Sequence, residues 1–206
     1  MNSKVDSTSR RGFLKGMAIG AGGYALGSML IHPKGAMGQS IEGYSEKVPM
    51  EARWDLISGA FIYNTANYFK GLYDQGGKEK FVEFMKEQGQ RARAGYKGFA
   101  DRFGFTGNDV KSAAAIIPTI VGLFFGPQQK FEIEEATMEK ARVKCINCVF
   151  WNATQAMKIS DDLCSPWSQY TWDGRAKAIN SNLTSNLVKA RPRGDSVCEW
   201  VIELKA

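Results

Sequence analysis

Residues 131–148 read Phe-Glu-Ile-Glu-Glu-Ala-Thr-Met-Glu-Lys-Ala-Arg-Val-Lys-Cys-Ile-Asn-Cys. Phe131, Ile133 and Glu135 fall on alternate positions, as do Ala141, Val143 and Cys145. A period of two is the signature of a strand with one covered face, so the stretch predicts two antiparallel strands joined near Ala136-Thr137. Downstream, residues 150–158 predict a short helix, and residues 162–179 a longer one with Pro166 in its first turn, where a missing N–H costs little. Residues 183–190 and 197–204 then read as a hairpin across Arg191-Pro192-Arg193-Gly194-Asp195-Ser196, which has the Pro, Gly and Asp of a turn.

Upstream the rhythm changes from two to between three and four. Trp54, Ile57, Phe61, Tyr68 and Leu72 predict the core face of one helix, ended by Gly76-Gly77. Phe81, Phe84, Met85, Ala92, Tyr96, Phe99 and Phe103 predict a second. A third carries Val110, Ala114, Ile117, Val121 and Phe124, with Thr106 or Asn108 as its cap and Pro118 kinking or splitting it. The whole reads as a single α+β domain over residues 39–206, with a helical half (39–126) and a mixed half (127–206). N-terminal helices pack with a small antiparallel sheet and crossover helices.

Residues 1–38 read differently. Arg10-Arg11 precede Gly12-Phe13-Leu14-Lys15, and the uncharged stretch Met17 to Ile31 is rich in Gly and Ala. It is shorter than the roughly 20 residues a membrane-spanning helix needs. Ala36-Met37-Gly38 supplies the small residues of a cleavage site before Gln39. This order closely resembles a twin-arginine signal peptide, which implies a protein exported already folded to the periplasm or the extracellular space. The export machinery would then be a partner, and no membrane span is expected in the mature chain.

Removing that segment alters the charge. Lys4, Arg10, Arg11, Lys15 and Lys34 lie in it against one acid, Asp6, so the net charge falls from +6 to +2. No basic patch remains to argue for nucleic acid. The sole histidine, His32, goes with it. Histidine-based triads and histidine metal ligands are thereby excluded, and acid–base chemistry falls to carboxylates, Lys, Tyr or Cys.

All four cysteines, Cys145, Cys148, Cys164 and Cys198, fall in the mixed half. Three readings stand side by side: two disulfides, a zinc or iron site held by the four thiolates, or a reactive thiol with its pKa lowered by neighbours. Lys144 adjoins Cys145, and Asp162 stands just before Cys164 at a helix start, where the dipole favours thiolate. Catalytic candidates are therefore Cys145, Cys164, Cys198 and Asp162. Trp167 and Trp172, on a helix with Ser165, Ser168 and Gln169, are candidates for a pocket wall around a flat or apolar ligand.

The strand ending in Cys145, the helix with Trp151, Cys164 opening the next helix, the run from Ala178 to Leu183, and Gly194-Asp195-Ser196-Val197-Cys198-Glu199-Trp200 together resemble the L-2-amino-thiazoline-4-carboxylic acid hydrolase family. The closing Gly-Asp-x-x-Cys is also similar to 4-vinyl reductase small-molecule-binding domains. The resemblance covers residues 130–205 and implies an α+β domain with a pocket near Cys145, Cys164 and Cys198. It also implies hydrolysis of a C–N or C–S bond in a small heterocycle, with water adding at the ring carbon between N and S. The chain departs from the pattern in having Ile146 rather than proline after Cys145, and in the extra thiol Cys148. The alternative is a non-catalytic small-molecule or metal-binding module, in the setting of a partner to an exported redox enzyme.

Overall fold

The computed structural model describes residues 48–205; the signal peptide expected over residues 1–38 lies outside them. The elements run α1 (Met50–Phe103), α2 (Val110–Phe125), β1 (Lys130–Ala136), β2 (Lys140–Asn147), α3 (Val149–Ala156), α4 (Cys164–Ile179), β3 (Leu183–Lys189), a 3-10 turn (Arg191–Arg193) and β4 (Cys198–Leu204). The four strands form one antiparallel sheet in the order β1-β2-β4-β3. The fold is α+β, as the two periodicities require. No described helix is long and apolar enough to cross a membrane.

Each strand puts alternate residues on opposite faces. Ala141, Val143 and Cys145 of β2 and Cys198, Trp200 and Ile202 of β4 are buried under the helices. Cys145 stands directly opposite Cys198 in the register. On the other face Glu199 is buried beneath two cations: Arg142 Nη1 donates to Oε1 at 2.7 Å and Lys189 Nζ to Oε2 at 2.9 Å. The β3–β4 turn closes through Gly194, at φ 95°, and Asp195, whose Oδ2 accepts the Ala190 N–H at 2.8 Å.

The predicted break near Gly76-Gly77 is present: Gly77 sits at φ 72°, ψ 178°, and α1 is two helical stretches joined across a kink there. Elsewhere the helical half corrects the sequence reading in two places. The cap of α2 is Asp109 rather than Thr106 or Asn108; its carboxylate accepts the Ser112 N–H at 2.7 Å. Pro118 neither splits nor ends α2, which continues from Val110 to Phe125 with Pro118 buried in its apolar face. Burial on both sides of the proline outweighs its missing hydrogen bond.

The core face of α1 is also displaced. Ser58, Ile62, Ala66 and Phe69 are buried, whereas Trp54, Ile57, Phe61 and Tyr68 are 38–70% exposed. The helix carries apolar residues on more than one face, so periodicity alone does not choose between them. Beyond the Gly77 kink, small residues choose. A Cβ on Gly89 of α1 would lie 2.5 Å from the Tyr170 carbonyl oxygen, and one on Gly174 of α4 would lie 2.1 Å from the Gly89 carbonyl oxygen. The two helices therefore cross with backbone against backbone, and that contact fixes which side of α1 beyond the Gly77 kink faces α4.

Two measurements test this frame. Gly89→Ala and Gly174→Ala should each lower the stability of the protein in urea denaturation by at least about 1–3 kcal/mol, the usual cost of overpacking. Gly95→Ala, in the same helix with open space around its Cβ position, should raise it by up to about 1 kcal/mol through helix propensity. Glu199 supplies a pH test. Burial pushes its carboxyl up, but hydrogen bonds from Lys189 and Arg142 outweigh this and hold it below the ordinary 4.5. Its contribution is then complete above that value and lost as pH falls through the lowered one. Glu199→Gln should flatten this acid limb of the stability curve.

Candidate functional site

A cavity of about 50 Å³ lies under the sheet, and all four cysteines line it. It sits at the seam between two apolar clusters. One holds Cys145, Cys198, Trp172 and Trp200; the other holds Phe69, Phe150 and Cys164, with Trp167 packed against it. Phe125 and Cys148 touch both.

Helix α4 supplies one long wall. Cys164, Trp167, Ser168, Thr171, Trp172 and Arg175 all face the cavity, and their spacing of three, four or one residue is that of a single helical face. Two hydrogen-bonding side chains anchor this helix to β3. Gln169 Nε2 donates to the Ser185 carbonyl at 2.8 Å, and its Oε1 accepts the Leu187 N–H at 2.7 Å. Asp173 Oδ1 accepts from Thr184 Oγ1 at 3.2 Å and from the Ser185 N–H at 3.3 Å. Trp172 lies flat on Trp200, with ring centroids 4.1 Å apart and planes 7° from parallel. At the other end Trp167 stacks on Phe125 at 5.5 Å and meets the edge of Phe150 at 4.9 Å.

The four thiols are free, and their surroundings differ. Cys148 caps α3, its sulfur accepting the Trp151 N–H at 3.4 Å. A hydrogen bond from Cys145, the main-chain donors of Trp151 and Phe150, and the charge of Arg191 together lower its pKa to about 7 against the pull of burial. The same pairing, with burial, drives Cys145 strongly upward. Its sulfur also accepts from Gln129 Nε2 at 2.9 Å, while Gln129 Oε1 accepts the Val149 N–H at 3.1 Å. Burial pushes Cys198 up to about 11, although its sulfur takes the Arg191 N–H at 3.5 Å. The thiolate character of the site therefore rests on Cys148.

The sequence candidates are sorted by this geometry. Trp167 and Trp172 are both in the wall, and Cys145, Cys164 and Cys198 come together as expected. Cys164 does open α4, but burial keeps its thiol well above the ordinary value, so the helix terminus does not make it a thiolate. Lys144 cannot activate Cys145, because it points to the other face of β2 and pairs with Glu134. Asp162 lies outside the cavity lining, and its Oδ1 accepts the Ser165 N–H at 2.8 Å as a helix-start carboxylate. Among the described residues no group of three or more His, Cys, Asp or Glu side chains is arranged to hold a metal ion. Three of the four sulfurs instead take N–H donors from the protein.

Gln129, Thr171 and Arg175 of the lining, and the unanswered donor of Trp200, escaped the sequence reading. Burial lowers Arg175 to about 10, which leaves it cationic at neutral pH, and no described residue hydrogen-bonds or ion-pairs with its guanidinium. Trp200 has a buried indole Nε1–H with no acceptor among the described residues. A cation eight residues after Trp167, in phase with Thr171 and Trp172, was the available signal for Arg175. Trp200 had none, since the absence of an acceptor is a property of the packed state.

The thiol order is testable by alkylation with iodoacetamide across pH. Cys148 should react first, with a rate midpoint near pH 7, and Cys164 and Cys198 only at higher pH. Cys145→Ala should move the Cys148 midpoint upward, because it deletes the hydrogen bond that most favours the thiolate.

No family model matches the chain, and no curated protein matches it. Among solved structures it is similar to a trafficking protein particle complex subunit 3 from Naegleria fowleri, covalently bound to palmitic acid. The two share 12% identity at a TM-score of 0.55, over 70% of this chain and 95% of that one. At that identity the likeness is one of fold.

Proposed function

We propose that the domain binds a small ligand with a flat or apolar body and an anionic or strongly hydrogen-bond-accepting group. The carrying observation is the pair of unanswered donors, the Arg175 guanidinium and the Trp200 indole N–H, in a cavity walled mostly by aromatic rings and thiols, with Gln129, Ser168 and Thr171 as its other polar lining. Buried cations and donors ordinarily find partners, so a pocket with two that have none is matched by a ligand that brings the acceptors. At about 50 Å³ the cavity has room for a few waters. A larger ligand displaces one of the lining rings as it enters.

Two ligand shapes suit this reading. A heterocyclic carboxylate, the substrate type implied by the resemblance to the L-2-amino-thiazoline-4-carboxylic acid hydrolases, offers a plane for the Trp172–Trp200 stack and a carboxylate for Arg175. A fatty acid, the kind of group held by the Naegleria protein, offers an apolar chain and one carboxyl. The export signal supports a periplasmic or extracellular setting. A hydrolytic function on a C–N or C–S bond is the second reading, and the observation that favours it is the Cys148 sulfur, a thiolate near neutral pH in the same wall.

Tryptophan fluorescence titration of the full chain with palmitate and with a thiazoline carboxylate tests the proposal. Arg175→Gln should weaken binding of the carboxylate by about tenfold to a hundredfold, the usual worth of a charge-assisted hydrogen bond of roughly 1.5–3 kcal/mol. Binding of the corresponding neutral amide should change little. Equal weakening of acid and amide, or no binding of either class, would overturn it.

A further inference from the structure

We infer that Cys145 and Cys148 form a thiol–disulfide exchange site, in which Cys148 attacks an incoming disulfide and Cys145 resolves the mixed disulfide. The two cysteines are separated by two residues and line the same cavity, and the Cys145 sulfur donates to the Asn147 carbonyl at 3.4 Å in the link between them. They differ in access: Cys148 is half-buried, whereas Cys145 is 1% exposed. An outside reagent therefore meets Cys148 first, and Cys145 is already in place behind it. Cys148 also takes the Trp151 N–H at the start of α3, so its negative charge is held before any reagent arrives. Usual helix-terminal pairs put the attacking thiol first in sequence. Here the order is reversed, because the strand precedes the helix and buries the earlier cysteine.

The chemistry balances with a small-molecule disulfide RSSR as oxidant. The Cys148 thiolate attacks one sulfur, the S–S bond of RSSR breaks, and RS⁻ leaves. Cys145 gives its proton to that RS⁻, forming RSH, and attacks the Cys148 sulfur. The mixed disulfide breaks, the second RS⁻ departs, and a Cys145–Cys148 disulfide remains. Two electrons pass from the protein dithiol to RSSR, and excess thiol reverses both steps.

The other two cysteines are poorer partners. Cys164 and Cys198 are 7% and 5% exposed and remain protonated near neutral pH. Cys198 does stand opposite Cys145 in the sheet, so a Cys145–Cys198 bridge is the competing product. The exchange does not depend on which ligand the cavity accepts. The two thiols form part of its wall, and oxidation would remove the thiolate from it.

The test uses the reduced full chain equilibrated with glutathione disulfide and glutathione, then quenched, with thiols mapped by differential alkylation and peptide mass spectrometry. The expected product in the unsubstituted protein is a Cys145–Cys148 disulfide with Cys164 and Cys198 free, reversed by added glutathione. Cys145→Ala should accumulate glutathione on Cys148, and Cys148→Ser should slow glutathione uptake at least tenfold. Near-UV circular dichroism checks that each variant is folded, and the mapping of the unsubstituted chain stands without them. A Cys145–Cys198 bridge, glutathione first on any cysteine other than Cys148, or four free thiols after equilibration would each overturn the proposal. None of these results touches the Arg175 titration, so the two readings fail separately.

Discussion

The backbone contact between Gly89 and Gly174 sets the distance at which everything else in the domain packs. A Cβ on either residue would meet carbonyl atoms of the other helix well inside contact distance. Glycine at both positions lets α4 lie directly against α1 while its other faces reach the sheet and the cavity. Gln169 and Asp173 then bind α4 to β3 through main-chain groups. Held on both sides, α4 presents Trp167, Trp172 and Arg175 with little freedom to turn. The aromatic wall and the lone guanidinium are consequences of that clamp.

Within the cavity the balance between burial and partners decides the state of each polar group. Four thiols share one apolar seam; burial pushes Cys164 and Cys198 away from ionisation, and pairing with Cys148 together with burial does so for Cys145. Cys148 escapes because it is placed where a strand hands over to a helix. Main-chain N–H groups, the Cys145 proton and the Arg191 charge all converge on that sulfur. The same competition leaves Arg175 charged without a described partner and, on the far face of the sheet, Glu199 charged beneath two. One charge is satisfied within the fold. The other has no partner among the described residues.

Much of the fold was legible in the chain. Alternation over residues 131–145 placed β1 and β2, the Arg191–Ser196 turn chemistry placed the β3–β4 hairpin, and Gly76-Gly77 marked the kink of α1. The misreadings share one cause. Trp54, Ile57, Phe61 and Tyr68 have helical spacing and large apolar side chains, yet the helix buries Ser58, Ile62, Ala66 and Phe69 instead. Size and periodicity rank faces by hydrophobicity, whereas the buried face is chosen by what packs against it, here Phe81, Phe150 and Trp167 around Phe69. Pro118 does not split α2, since its cost is local and its burial is tertiary.

By itself the sequence determined the α+β class, the strand and helix order, the absence of histidine after residue 32, and the gathering of thiols and tryptophans in one half. These follow from local periodicity and composition, which need no knowledge of distant contacts. Only the tertiary structure decided that the four thiols line one cavity, that Cys148 rather than Cys164 carries the thiolate, and that Arg175 and the Trp200 indole go unanswered. Each depends on desolvation and on donors brought from other elements: Gln129 from the loop before β1, Arg191 from the turn before β4, and α4 from its glycine crossing. Such terms exist only after the chain has closed on itself.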